Sequence, residues 1–128
     1  MTAGAGTHTL AGPFESSVRG FVNITVRAVP DVNRYEITVD DKPAGFTEYA
    51  PPGSRRAAPG EIAFLHTEID PAFGGQGLGG ELIGFALDDA RKQGLAVIPY
   101  CPFVRSYLAK HEEYLDLVPA DRRADFEL

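Results

Sequence analysis

Apolar and polar positions alternate along the first half of the chain and change to helical spacing in the second. "FVNITVRAV" and "RYEITVD" are rich in β-branched residues, and "DVN" between Pro30 and Arg34 has turn chemistry, so the pair predicts a hairpin. A second turn, "DDKPAG", leads into "FTEY" and extends the hairpin to an antiparallel meander. "APPGSRRAAPG" reads as a loop, and the run "EIAFLHTEI" after it is the strongest strand, ended by Pro71. From Leu78 to Gln93 the apolar set Leu78, Leu82, Phe85, Ala86 and Ala90 recurs at helical spacing, with Gly94 placed for the C-terminal cap. "LAVIP" is then a short strand. After a strand and a helix it should complete a right-handed parallel β-α-β unit. A last helix starts near Pro102 with Val104, Tyr107, Leu108 and His111 on its apolar face, and "EEYLDLV" closes the core. The fold class is therefore α/β, an antiparallel meander leading to a parallel strand pair, with one helix after the glycine turn and one near the C-terminus. Residues 1 to about 20 lack periodicity and read as a loose arm, 21–118 as the folded domain, and 119–128 as a charged tail.

Composition narrows the function classes. A length of 128 residues with 44% hydrophobic and 23% charged content suits one soluble globular domain. "MTAGAGTHTLAGP" has no basic start and no apolar run, so neither a signal peptide nor an anchor is expected, and the cytoplasm is the expected compartment. One cysteine excludes an internal disulfide, and with three scattered histidines no metal site is expected. A net charge of −6 argues against nucleic acid, whose phosphates need clustered Lys and Arg. An acidic surface better suits a cationic or amine-bearing partner.

The chemistry concentrates in "DPAFGGQGLGGELIG", Asp70 to Gly84, with six glycines in fifteen residues ahead of a helix. Such a turn lets bare N–H groups approach a ligand where the helix dipole favours negative charge, so a phosphate is the natural guest. Gly75, Gly77 and Gly80 match the spelling of the dinucleotide fingerprint. That fingerprint belongs after a first strand, with an acidic residue about twenty positions on, and here antiparallel strands precede it and "IPYCP" stands in the acidic place. A Walker A loop is excluded, because no lysine lies between Pro43 and Lys92. The remaining reading is a strand with a bulge or splay, then a Gln/Arg-x-x-Gly-x-Gly/Ala turn into a helix.

On those residues "IAFLHTEIDPAFGGQGLGGELI" resembles motif A of the GNAT N-acetyltransferase superfamily. From about residue 34 to 118 the chain, through "ALDDARKQGLAVIPYCPFVRSYLAKHEEYLDLV", is similar to its small YjdJ-type subfamily. The resemblance implies acetyl-CoA as cofactor, with its pyrophosphate on the turn and helix start, Gly74, Gly75, Gln76, Gly77, Leu78, Gly79 and Gly80. It also implies that Thr67, Glu68 and Ile69 pair with the pantetheine arm through backbone groups and that the Ile69 amide lies near the thioester carbonyl. Gly74 stands where the superfamily usually has Gln or Arg, which costs a side-chain contact that Gln76 partly replaces.

Three side chains lead the candidates for catalysis, with Glu68 a fourth. Cys101 lies between the short strand and the last helix, an N-cap position with Pro102 following, where a dipole favours thiolate. It reads either as an acetyl acceptor or pocket residue, or as a small buried hydrophobe. His66 is the candidate base; plain alternation puts it on one face with Phe64 and Glu68, and a contact with the Cys101 thiol depends on register. Tyr107 is a secondary candidate, because GNAT enzymes often use a tyrosine of this helix to protonate the leaving thiolate, whereas its spacing fits a core position. Glu68 could act as a base through water. The function implied is acetyl transfer to an amine of a small molecule or protein. The alternative is an acyl-CoA-binding module without turnover, acetylated on Cys101. The acceptor and the oligomeric state are not legible.

Overall fold

The computed structural model describes residues 14–19 and 22–128. It contains a six-stranded sheet of β1 (Phe14–Arg19), β2 (Val22–Val29), β3 (Arg34–Val39), β4 (Lys42–Ala50), β5 (Glu61–Ile69) and β6 (Ala96–Pro99), hydrogen-bonded in that order. The first five strands are antiparallel neighbours, and β6 runs parallel to β5. Helix α1 (Leu78–Lys92) makes the crossover between them, and α2 (Pro102–Lys110) follows β6. The expected meander, parallel pair and two helices are thus present.

The β2–β3 connection turns through Pro30–Val32 and Asn33, and β3–β4 through Asp40 and Asp41; Asn33, Asp40 and Asp41 all have left-handed backbones. Asp40 also accepts the Asn23 N–H at 2.9 Å and donates its own N–H to the Asn23 carbonyl at 2.8 Å, which ties this turn to the start of β2. Alternation on β2 and β3 buries Ile24, Val26, Tyr35, Ile37 and Val39 against α1, which contributes Leu78, Leu82, Ile83, Ala86, Leu87 and Ala90 to the same core.

Tyr35 packs its ring on Tyr49, Phe64 and Phe85, and its hydroxyl donates to Asp89. Burial first, then the Asp89 carboxylate, raises its pKa above the ordinary 10.0. Above about pH 10 the unfolded chain therefore binds fewer protons at this site than the folded one, and stability falls as pH rises further. We expect the urea midpoint to drop between about pH 10 and 12, with a shallower slope in Tyr35→Phe; equal slopes would contradict this role.

Both chain ends depart from the expected boundaries. Phe14–Arg19 forms a strand paired with β2 along its length, so the domain begins before residue 21. The rest of the expected arm, residues 1–13 with His8, lies outside the described residues. The supposed tail folds as a 3-10 segment, Ala120–Phe126, that buries Phe126 with Ala50, Ala57, Ala63 and Ile98 on the sheet face opposite α1. Its ring meets Tyr100 edge-on, with centroids 5.6 Å apart. One aromatic side chain thus anchors an otherwise charged segment. Phe126→Ala is expected to cost about 2–4 kcal/mol in urea unfolding, a loss that a solvated tail would not show.

Candidate active site

The parallel pairing of β5 and β6 is short. Glu61 to Phe64 pair with Ala96 to Pro99, and the Cys101 N–H still donates to the Phe64 carbonyl at 2.9 Å. The chain then turns into α2, while β5 continues from Leu65 to Ile69 against β4 alone. The two strands splay, leaving the β6-side edge of Leu65–Ile69 open.

A bulge governs what faces that opening. Tyr49 pairs with Phe64 and Glu48 with His66, so Leu65 is an extra residue on β5 and alternation shifts by one. Phe64, Thr67 and Ile69 consequently lie on the α1 face, and His66 and Glu68 on the opposite face. This corrects the expected grouping of His66 with Phe64. The His66 imidazole is 54% exposed, bonds Glu68 Oε2 at 2.7 Å and lies 6.1 Å from the Phe46 ring. The residue that meets the Cys101 thiol is Thr67, with Oγ1 3.4 Å from Sγ.

Amide directions follow from the same strand geometry. The Asp70 N–H donates to the Ala44 carbonyl on β4 at 2.8 Å. Successive amides of an extended strand point to opposite edges, so those of Ile69 and Thr67 aim into the splay. Gly45 allows β4 and β5 to close here, since an added Cβ would stand 2.5 Å from the Glu68 carbonyl oxygen.

Asp70 ends the strand and accepts the Ala72 N–H at 2.9 Å, starting the 3-10 turn Pro71–Phe73. Gly74 is extended, whereas Gly75 and the N-cap Gly77 are left-handed at φ 77° and 73°. Gln76 lies between those two reversals. Leu78 is buried in the core, and the N–H groups of the first α1 turn have no acceptor within the helix. Space for an anion is kept by the absence of side chains at Gly75 and Gly77, where an added Cβ would meet nothing within 4 Å. Glu81, the acidic residue of the first turn, instead lines a concavity of about 160 Å³ with Ile24, Val26 and Asp88. That hollow shares only Gly80 with the expected ligand-binding set, so its size is no guide to the chemistry.

Helix α2 covers the other side. Cys101 is 2% exposed and occupies the N-cap position with an extended backbone, and Pro102 takes the first helical position as expected. Phe103, 42% exposed, lays its ring over the bare backbone of Gly79, where an added Cβ would collide with the ring. Phe103, Thr47 and Gly45 carry no motif signal in the sequence beyond a glycine just before "FTEY".

Tyr107 sits farther along. Its ring lies beside Gly80, its hydroxyl faces Gly84, and it stacks on His111 with centroids 3.9 Å apart. Burial first, then the Glu113 and Asp88 carboxylates, raises its pKa, so the phenol holds its proton. It is six positions on from the N-cap Cys101, about 9 Å along the axis.

Among the described residues no group of three or more His, Cys, Asp or Glu could hold a metal ion, and no helix is long and apolar enough to cross a membrane. No curated protein matches the chain. Residues 34–117 match the model of the family described as GCN5-related N-acetyl-transferase, and they include the splay, the bulge, the glycine turn and both helices. With well over half of its length matched, the chain belongs to the GCN5-related N-acetyltransferase family, whose general activity is acyl transfer.

Proposed function

We propose that the protein binds acetyl-CoA and transfers its acetyl group to an amine of a small molecule or protein. The observation that carries this is the pair of backbone donor sets, one at the open glycine turn before α1 and one on the edge of β5 beyond its pairing with β6. The amides at the start of α1 stand at one end of the cleft, and those of Thr67 and Ile69 line the open β5 edge leading to Cys101. The first set suits a diphosphate and the second an extended amide-bearing arm. Phe103 and Gly79 form the apolar wall between them.

In this reading the Ile69 N–H stabilises the oxyanion that develops as the amine attacks the thioester carbonyl. His66, held by Glu68 on the opposite face, takes a proton from the incoming ammonium. Cys101 lines the acyl end, and Tyr107, whose hydroxyl faces Gly84, takes no part in this reading. The end-to-end likeness to YjdJ-type proteins belongs to the same proposal, as does a cytoplasmic setting.

The thiol beside Thr67 favours a second reading, an acyl-CoA-binding module that loads acetyl onto Cys101 without passing it on. Intact mass after incubation with acetyl-CoA, in wild type and Cys101→Ala, separates the two. Turnover of an amine panel without a stable mass increment supports direct transfer, whereas a thiol-dependent acetyl increment without turnover supports the module. A thermal-shift series tests both readings together. Stabilisation by coenzyme A but not by NAD or ATP is expected, and an unmoved transition with coenzyme A contradicts them.

A further inference from the structure

Apart from Tyr35 and Cys101, Thr47 is the one buried side chain with a polar group among the described residues, and it is 0% exposed. A valine would fill the same volume without the desolvation cost of a hydroxyl, so the hydroxyl acts through its bonds. It lies 3.4 Å from the His66 carbonyl oxygen and 2.8 Å from Thr67 Oγ1, which in turn is 3.4 Å from Cys101 Sγ. The row contains three protons, on Thr47, Thr67 and Cys101. A carbonyl can only accept. One arrangement satisfies all three: Thr47 donates to His66, Thr67 donates to Thr47, and the thiol donates to Thr67.

We propose that Thr47 is a positioning residue, which acts through Thr67 to turn the Cys101 S–H back into the sheet and leave the sulfur lone pairs toward the splay. This rests on the reading that Cys101 lines the acyl end. The row stops at a carbonyl that carries no proton, so it orients the thiol rather than conducting a proton away. Reversing it would make Thr67 a donor to sulfur and leave the S–H without an acceptor in the row.

The single cysteine makes the test direct, because the S–H stretching band in the infrared reports one group. Wild type and Thr47→Ser are expected to share a band shifted to lower frequency than that of an unbonded thiol. Thr47→Val and Thr67→Val should both move it up to the unbonded position. A wild-type band already at that position, or one unmoved by either valine variant, would overturn the proposal. If Thr47→Val fails to fold, Thr47→Ala removes the same hydroxyl, and its band decides in the same way. No coenzyme is present in the measurement, so failure here leaves the acetyl-CoA titration standing, and failure of that titration leaves the band assignment intact.

Discussion

Gly80→Glu is expected to weaken coenzyme A binding by at least about 100-fold, on the order of 2.7 kcal/mol, while the fold becomes slightly more stable. Gly80 is the third residue of α1, and a Cβ there meets Tyr107 Cε2 at 3.7 Å, an ordinary contact. Replacing a helical glycine gains about 0.5–1 kcal/mol, and a carboxylate in the first turn complements the helix dipole. The same carboxylate competes for the first-turn amides and repels a diphosphate. Opposite signs for stability and affinity separate ligand binding from structural damage. Urea unfolding and calorimetry on one preparation provide both numbers, and unchanged affinity would remove the diphosphate from this helix end.

Phe64→Ala is expected to cost about 3–5 kcal/mol of folding free energy. The ring is buried at the last paired position before the bulge, with centroids 6.4 Å from both Tyr35 and Tyr49, and the residue's carbonyl accepts the Cys101 N–H. Removing it opens a cavity at the vertex of the splay, where β4, β5 and α2 meet. Coenzyme affinity should fall as well, because the open edge loses its support. Phe64→Leu should cost much less in urea unfolding. A loss under about 1 kcal/mol for alanine would mean that the vertex is not continuous with the core.

Most of the frame was legible because each element carried its own local signal. "EIAFLHTEI" coincides with β5 and "LAVIP" contains β6; Leu78 opens α1 and Gly94 follows its end in the left-handed conformation. The bulge was not legible at its position. Phe64 and Leu65 are both apolar, so inserting one residue leaves no break in the pattern, yet it reverses the face of His66 and puts Thr67 against the thiol. "FESSVR" lacks a hydrophobic alternation strong enough to announce a strand, and backbone pairing with β2 supplies its order. Phe126 is one aromatic among charges, and its burial depends on an Ala-lined surface brought together from β4, β5 and the loop between them. Local pattern fixes elements, whereas register and long-range cover decide which side chains meet.

Isothermal titration of acetyl-CoA into the wild-type chain asks most directly whether the start of α1 and the open edge of β5 form one coenzyme cleft. Saturable one-to-one binding, competed by coenzyme A and lost in Gly80→Glu, is the expected result. No heat at millimolar coenzyme, from protein that still unfolds cooperatively in urea, would contradict it.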